Sequence, residues 1–206
     1  MLKNEIMNLL DTCYDRALEG RLFPGERSIM ELAEDYLKKN NNREKAIDEL
    51  IKYQTCLCGI NGFLAGVGGM LTLPIAIPAN MVGVIYVQLR MIAAIAYING
   101  YDISSDQVRT MAYICLTGNS AMNVLKDVGI EIGEKIAVNA LKKLPGAILT
   151  KINRRVGFKL LTKSGEKGTV NIIQMMPLVG GGIGGAVDAF ETVAIGNIAK
   201  KMFLEE

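Results

Sequence analysis

Few side chains here have the type and spacing to do chemistry, and the most orderly of them are basic. Between Lys142 and Lys167 stand eight cations, Lys142, Lys143, Lys151, Arg154, Arg155, Lys159, Lys163 and Lys167, against the single acid Glu166. Lys151, Arg155, Lys159 and Lys163 recur every four residues, with Ile148, Ile152, Val156 and Leu160 forming an apolar stripe beside them. On a helix this spacing sets a cationic face next to a greasy one. Such a helix can lie on an anionic bilayer, where each cation near the surface adds about 1 kcal/mol. Alternatively, it buries the apolar stripe in a protein core and leaves its lysines in water. The residues leave both open, and the candidate headgroup ligands are Lys151, Arg154, Arg155, Lys159 and Lys163. Nucleic acid is not expected as a partner, because the net charge is only +2 and Phe158 is the one aromatic in the basic stretch.

Catalytic chemistry is poorly supplied. The chain has no histidine, which excludes Ser-His-Asp and Cys-His nucleophile systems and the commonest metal ligand. Cys13, Cys56, Cys58 and Cys115 show no CxxC spacing, and the CxC at Cys56 and Cys58 lies in an apolar run where thiols pack as small hydrophobes. Neither a metal nor a cofactor is expected. Gly180, Gly182 and Gly185 match a dinucleotide fingerprint by letters, yet too little chain follows Gly185 to hold the second strand and acid of that unit. The carboxylate pairs Glu131 with Glu134 and Asp188 with Glu191 are more ordinarily solvated or ion-paired than catalytic. No catalytic residue is assigned, and the chain reads as a non-enzyme.

Glycine is the other signal. From Tyr53 to Leu89 there is no charge, and the run carries Gly59, Gly62, Gly66, Gly68, Gly69, Pro74, Pro78 and Gly83; Gly168 to Val187 is also uncharged and holds Pro177 and a second glycine cluster. Gly62 with Gly66, Gly180 with Gly184 and Gly181 with Gly185 are GxxxG pairs, which bare one helix face for close approach of a second backbone. Glycine weakens a helix by roughly 1 kcal/mol relative to alanine, and an arginine such as Arg90 costs about 2.5–3.5 kcal/mol at the middle of a span. Insertion would be marginal. The segments suit either a buried helical hairpin or one that enters lipid.

The elements that must position these residues follow from helix periodicity and punctuation. A first helix ends near Gly20. Ser28 and Glu31 have capping-box spacing and open a second helix, closed by Asn40–Asn42; a third starts near Arg43 and runs without a clear stop into the glycine-rich stretch. A turn is expected around Pro74 and Pro78, then a long helix from Ala79 to Asn99–Gly100. Ser104 and Gln107 suggest another capping box, with helices over 105–117 and 120–141. Pro145 opens the basic helix, and a last helix passes Val193, Ile195, Ile198, Met202 and Phe203. Strand patterns are scarce, Thr169–Met175 being the best. The expectation is an all-α multi-helix bundle with two glycine-rich apolar helical segments, cytosolic because the first ten residues lack the apolar core of a secretory signal.

Leu73-Pro74 leading to Gln88-Leu89-Arg90, Ile92 onward to Gly100-Tyr101-Asp102, and Pro177-Leu178-Val179-Gly180 through Gly184-Gly185 to Phe203 together resemble the EcsC protein family. The resemblance implies an EcsC-like helical domain over 41–206 after a variable, charged helical extension over 1–40. It further implies a bacterial, often membrane-associated protein with no agreed catalytic activity. The leading expectation is therefore a non-enzymatic protein that meets anionic lipid at the cytoplasmic membrane, peripherally or by conditional insertion, with membrane perturbation as an extension of that role. A soluble interaction module, docking a protein partner or a second copy of the chain, is the alternative.

Overall fold

The computed structural model describes residues 2–20, 22, 25–60, 79–130, 144–166 and 181–204, with side chains for all but 2–4, 80, 161–166 and 181–187. The Pro74–Pro78 turn, the Thr169–Met175 pattern, residues 61–78 of the first glycine run and 168–180 of the second lie outside these residues. Among the described residues eight α-helices occur in order: α1 (Leu2–Glu19), α2 (Ile29–Lys39), α3 (Arg43–Cys58), α4 (Ala79–Ile98), α5 (Asp106–Leu116), α6 (Ala121–Asp127), α7 (Gly146–Glu166) and α8 (Gly181–Phe203), with one 3-10 turn at Gly118–Ser120. No strand occurs among the described residues. The all-α bundle is as the periodicity foretold.

Caps explain most of the boundaries. Ser28 and Glu31 form the reciprocal capping box at α2, and Asn42 accepts from the Lys45 amide to open α3. At α5 the cap is Ser105, whose hydroxyl accepts from the Val108 amide, rather than Ser104. The Ser104 amide instead donates to the Asp102 carboxylate in the turn before it. α3, which the sequence ran on into the glycine-rich stretch, stops at Cys58, where Gly59 caps it with its amide directed at the Thr55 and Cys56 carbonyls. α6 stops at Asp127, because Gly129 takes a left-handed φ of 81° that ends the helical turn, so the helix expected over 120–141 is broken there; 131–141 lie outside the described residues.

Helix α4 is the axle of the bundle, enclosed by α1, α2, α3, α5 and α8. Every residue from Tyr86 to Ala96 is buried. That is why it is apolar all round: a helix touched on every side has no face to give to water. Around it, α1 is fixed to α5 by polar as well as apolar contacts. Arg109 binds Asp15 at 2.6 Å, the Tyr113 hydroxyl donates to Asp11 at 2.6 Å, and the Tyr14 hydroxyl donates to the Ile103 carbonyl at 2.9 Å. Helix α7 lies on α1, α5 and α6.

Candidate functional site

The basic helix is the first candidate. Leu149, Ile152 and Val156 are buried and Ile148 and Leu160 half-buried against the core, so the apolar stripe of α7 is spent on the protein. Gly157 lets this face come close, since a Cβ there would sit 3.2 Å from Ile6 Cγ2. Lys151 and Arg154 are exposed, and Lys159 is half-buried. Arg155 is engaged: its Nε and Nη2 donate to Asp127 Oδ2 at 2.8 and 2.5 Å, and its guanidinium covers the Phe158 ring at 5.2 Å. Lys163 is on α7, its side chain outside those described. The stripe of four thus splits, leaving Lys151 and Arg154 best presented to an external anion.

The glycine pairs fall differently. Gly62, Gly66 and Gly180 lie outside the described residues; Gly181, Gly184 and Gly185 form the first turns of α8. Gly196, further along α8, does make a close approach, because a Cβ there would lie 2.9 Å from Ile51 Cγ1. Its neighbours Ile195 and Asn197 belong to no small-residue repeat, so nothing in the sequence marked it.

Helices α3, α4 and α8 pack side by side. Gly196 meets Ile51, Thr192 lies beside Cys58, and Lys200 reaches Asp48 and Glu44, so α3 and α8 are antiparallel. Gln88 Nε2 donates to Thr192 Oγ1 at 3.0 Å and the Tyr101 ring meets Phe203 at 5.3 Å, so α4 and α8 are parallel. The end of α3 therefore lies level with the middles of α4 and α8. Large apolar side chains are open near it: Phe190 is 79% exposed, Ile60 53% and Val193 38%.

A buried polar network forms the third feature, unmarked in the sequence because its partners lie in distant elements. Glu26, in the turn between α1 and α2, accepts from the Tyr86 hydroxyl at 2.5 Å and from the Leu22 amide at 2.8 Å. Arg90 Nη1 stands 3.3 Å from the same carboxylate in an ion pair whose side chains are 9% and 2% exposed, while Nη2 donates to the Arg27 carbonyl. Burial and the hydrogen bond to Glu26 push the Tyr86 hydroxyl well above its usual range. Burial likewise raises the Cys13 thiol to about 12 and Cys58 to about 11; only Cys56 is an exposed thiol. Among the described residues no three carboxylates or thiols gather as a metal site.

No curated protein and no solved structure matches the chain. The model of the EcsC protein family matches residues 3–204, taking in α1 and α2 and so beginning well before the start near residue 41 that the resemblance implied. The chain belongs to the EcsC protein family.

Proposed function

We propose that this protein is a non-enzymatic helical body that docks reversibly on the anionic cytoplasmic face of a bacterial membrane. The observation carrying this is the cluster of apolar side chains open to solvent where α3 ends against the middle of α8, Ile60, Phe190 and Val193, in a chain whose sequence also holds two long uncharged, glycine-rich runs. Burying one such side chain in hydrocarbon is worth about 1.5–3 kcal/mol. Lys151 and Arg154 would add about 1 kcal/mol each through headgroups, a contribution that salt screens. Apolar contact by these side chains then outweighs the headgroup attraction. Against catalysis weigh the missing histidine and the buried thiols of Cys13, Cys58 and Cys115, each held neutral by desolvation.

The soluble interaction module is favoured by one specific fact: the most lipid-like helix, α4, is buried without a break from Tyr86 to Ala96. Co-sedimentation with phosphatidylglycerol and phosphatidylcholine vesicles separates the two. Docking predicts binding to anionic vesicles that Phe190→Ser weakens about tenfold and that Lys151→Glu with Arg154→Glu weakens chiefly at low salt. A wild-type protein that stays in the supernatant at every ionic strength would end the membrane proposal and leave the module.

A further inference from the structure

Helix α4 contains the one described stretch long and apolar enough to cross a bilayer, Met81–Ile98, of which 78% is buried inside the bundle. Its only charge is Arg90, and the contacts of that guanidinium go to one short piece of chain, the Glu26 carboxylate and the Arg27 carbonyl in the turn between α1 and α2. Tyr86, one turn earlier on α4, grips the same carboxylate. The turn is pressed onto the end of α1: Gly20 has a φ of 62°, and a Cβ there would run into the Arg27 carbonyl and the Ser28 amide. Arg27 is in turn paired with Asp35 on α2.

A buried ion pair adds little over well-packed apolar residues of the same volume, whereas removing one partner leaves a charge in low dielectric with nothing to compensate it. The pair therefore makes the packed position of α4 conditional on the turn. We propose that Glu26 and its turn are a latch on α4: engaged, they hold Arg90 and the helix inside the soluble bundle; released, they let α4 leave the packed state for lipid. The inference rests on the membrane docking proposed above, and it names what holds the protein in its soluble form. The latch acts on the bundle interior, away from the exposed cations of α7.

Three variants test it: Glu26→Gln, which keeps shape and drops charge; Gly20→Ala, which forces the turn from its seat; and Glu26→Leu with Arg90→Leu, which removes both charges. The first readout needs no lipid. Amide exchange of α4 should rise on the order of a hundredfold in Glu26→Gln, while α7 changes less. The second is the fraction of protein on phosphatidylglycerol vesicles that resists alkaline carbonate. It should rise at least tenfold in Glu26→Gln and Gly20→Ala, and remain at the wild-type level in the double variant although its α4 is more apolar. Should Glu26→Gln not fold, Tyr86→Phe, which removes a single hydrogen bond, replaces it with a smaller rise. Wild type binding vesicles while Glu26→Gln resists carbonate no better overturns the latch alone, as does a rise greatest in the double variant, which points to hydropathy. If no variant meets vesicles at any salt, the docking proposal falls and release into lipid falls with it. An α4 that exchanges no faster in Glu26→Gln refutes the hold on the helix itself.

Discussion

Helices α4 and α7 resolve the same way an alternative that their sequences leave open. α4 is apolar enough for a membrane span and is the axle of the bundle; α7 has the pattern of a bilayer-surface helix and gives its apolar stripe to α1, α5 and α6. Composition measures how much a helix avoids water, and a protein core and a lipid core satisfy that equally. What separates the two cases is the fate of the few polar groups. In α4, Gln88 reaches Thr192 and Arg90 reaches Glu26, and such specific partners exist only in protein. In α7, Lys151 and Arg154 stay exposed, so the helix keeps a charged face to offer even though its apolar face is spent.

The hardest blow to this comparison is Arg90→Ala. It strands Glu26, whose side chain is 2% exposed, and the loss should be about 3–5 kcal/mol, visible as a lower urea midpoint at unchanged slope. A stability within about 1 kcal/mol of wild type would mean that α4 is held by apolar packing alone. Next in size is Gly196→Ala. The new methyl meets Cγ1, Cγ2 and Cδ1 of Ile51 at 2.9–3.1 Å, and because Ile51 is β-branched and stiff the cost should be about 1–3 kcal/mol. Gly157→Ala should cost less, since one of its two nearest neighbours is the Met7 thioether, which can swing aside. Equal costs would mean that α7 sits as tightly as α8.

Much of this architecture was legible and some could not have been. The capping box at Ser28, the Asn42 turn, the Ala79 start and the Pro145 boundary are local, so propensity and side-chain-to-backbone bonding set them. Ser105 displaced Ser104 because both serines offer a hydroxyl and the Asp102 carboxylate occupied the earlier amide. The Glu26–Tyr86–Arg90 network joins residues 60 or more apart, and no spacing rule links a turn glutamate to a distant helix. Likewise the meeting of the end of α3 with the middle of α8 depends on which helices run antiparallel, a property of packing rather than of any segment. The spacing of the basic residues was visible in the sequence, but the division into exposed Lys151 and Arg154 and an engaged Arg155 depended on where α6 placed Asp127.

Ser28→Ala tests the turn that reaches α4 from its other end. Losing an N-cap costs about 1 kcal/mol, and the damage should appear in α2 and its entry turn before it reaches α7. Its pH dependence has a definite sign. The Ser28 amide and hydroxyl hold the Glu31 carboxyl below its ordinary value, so their contribution is present above the ordinary carboxylate range and is lost as pH falls through the lowered value. Urea midpoints of wild type and Ser28→Ala should therefore differ at neutral pH and approach one another in acid. Parallel pH curves would indicate that the Glu31 carboxylate contributes nothing to the cap.

Smallest of all should be Arg155→Ala, the test of whether α7 needs its charges to stay seated. Its pair with Asp127 is about one-third exposed on both sides, where such contacts are worth roughly 0.2–1 kcal/mol, and the Phe158 contact adds little at an exposed site. If α7 is held by Ile152 and Val156, Arg155→Ala leaves its amide exchange close to wild type while Ile152→Ala raises it steeply, since truncating a fully buried isoleucine costs about 2–5 kcal/mol. The reverse ranking would make α7 an electrostatically held helix, able to lift off the bundle in salt, and would return its apolar stripe to the surfaces that lipid could meet.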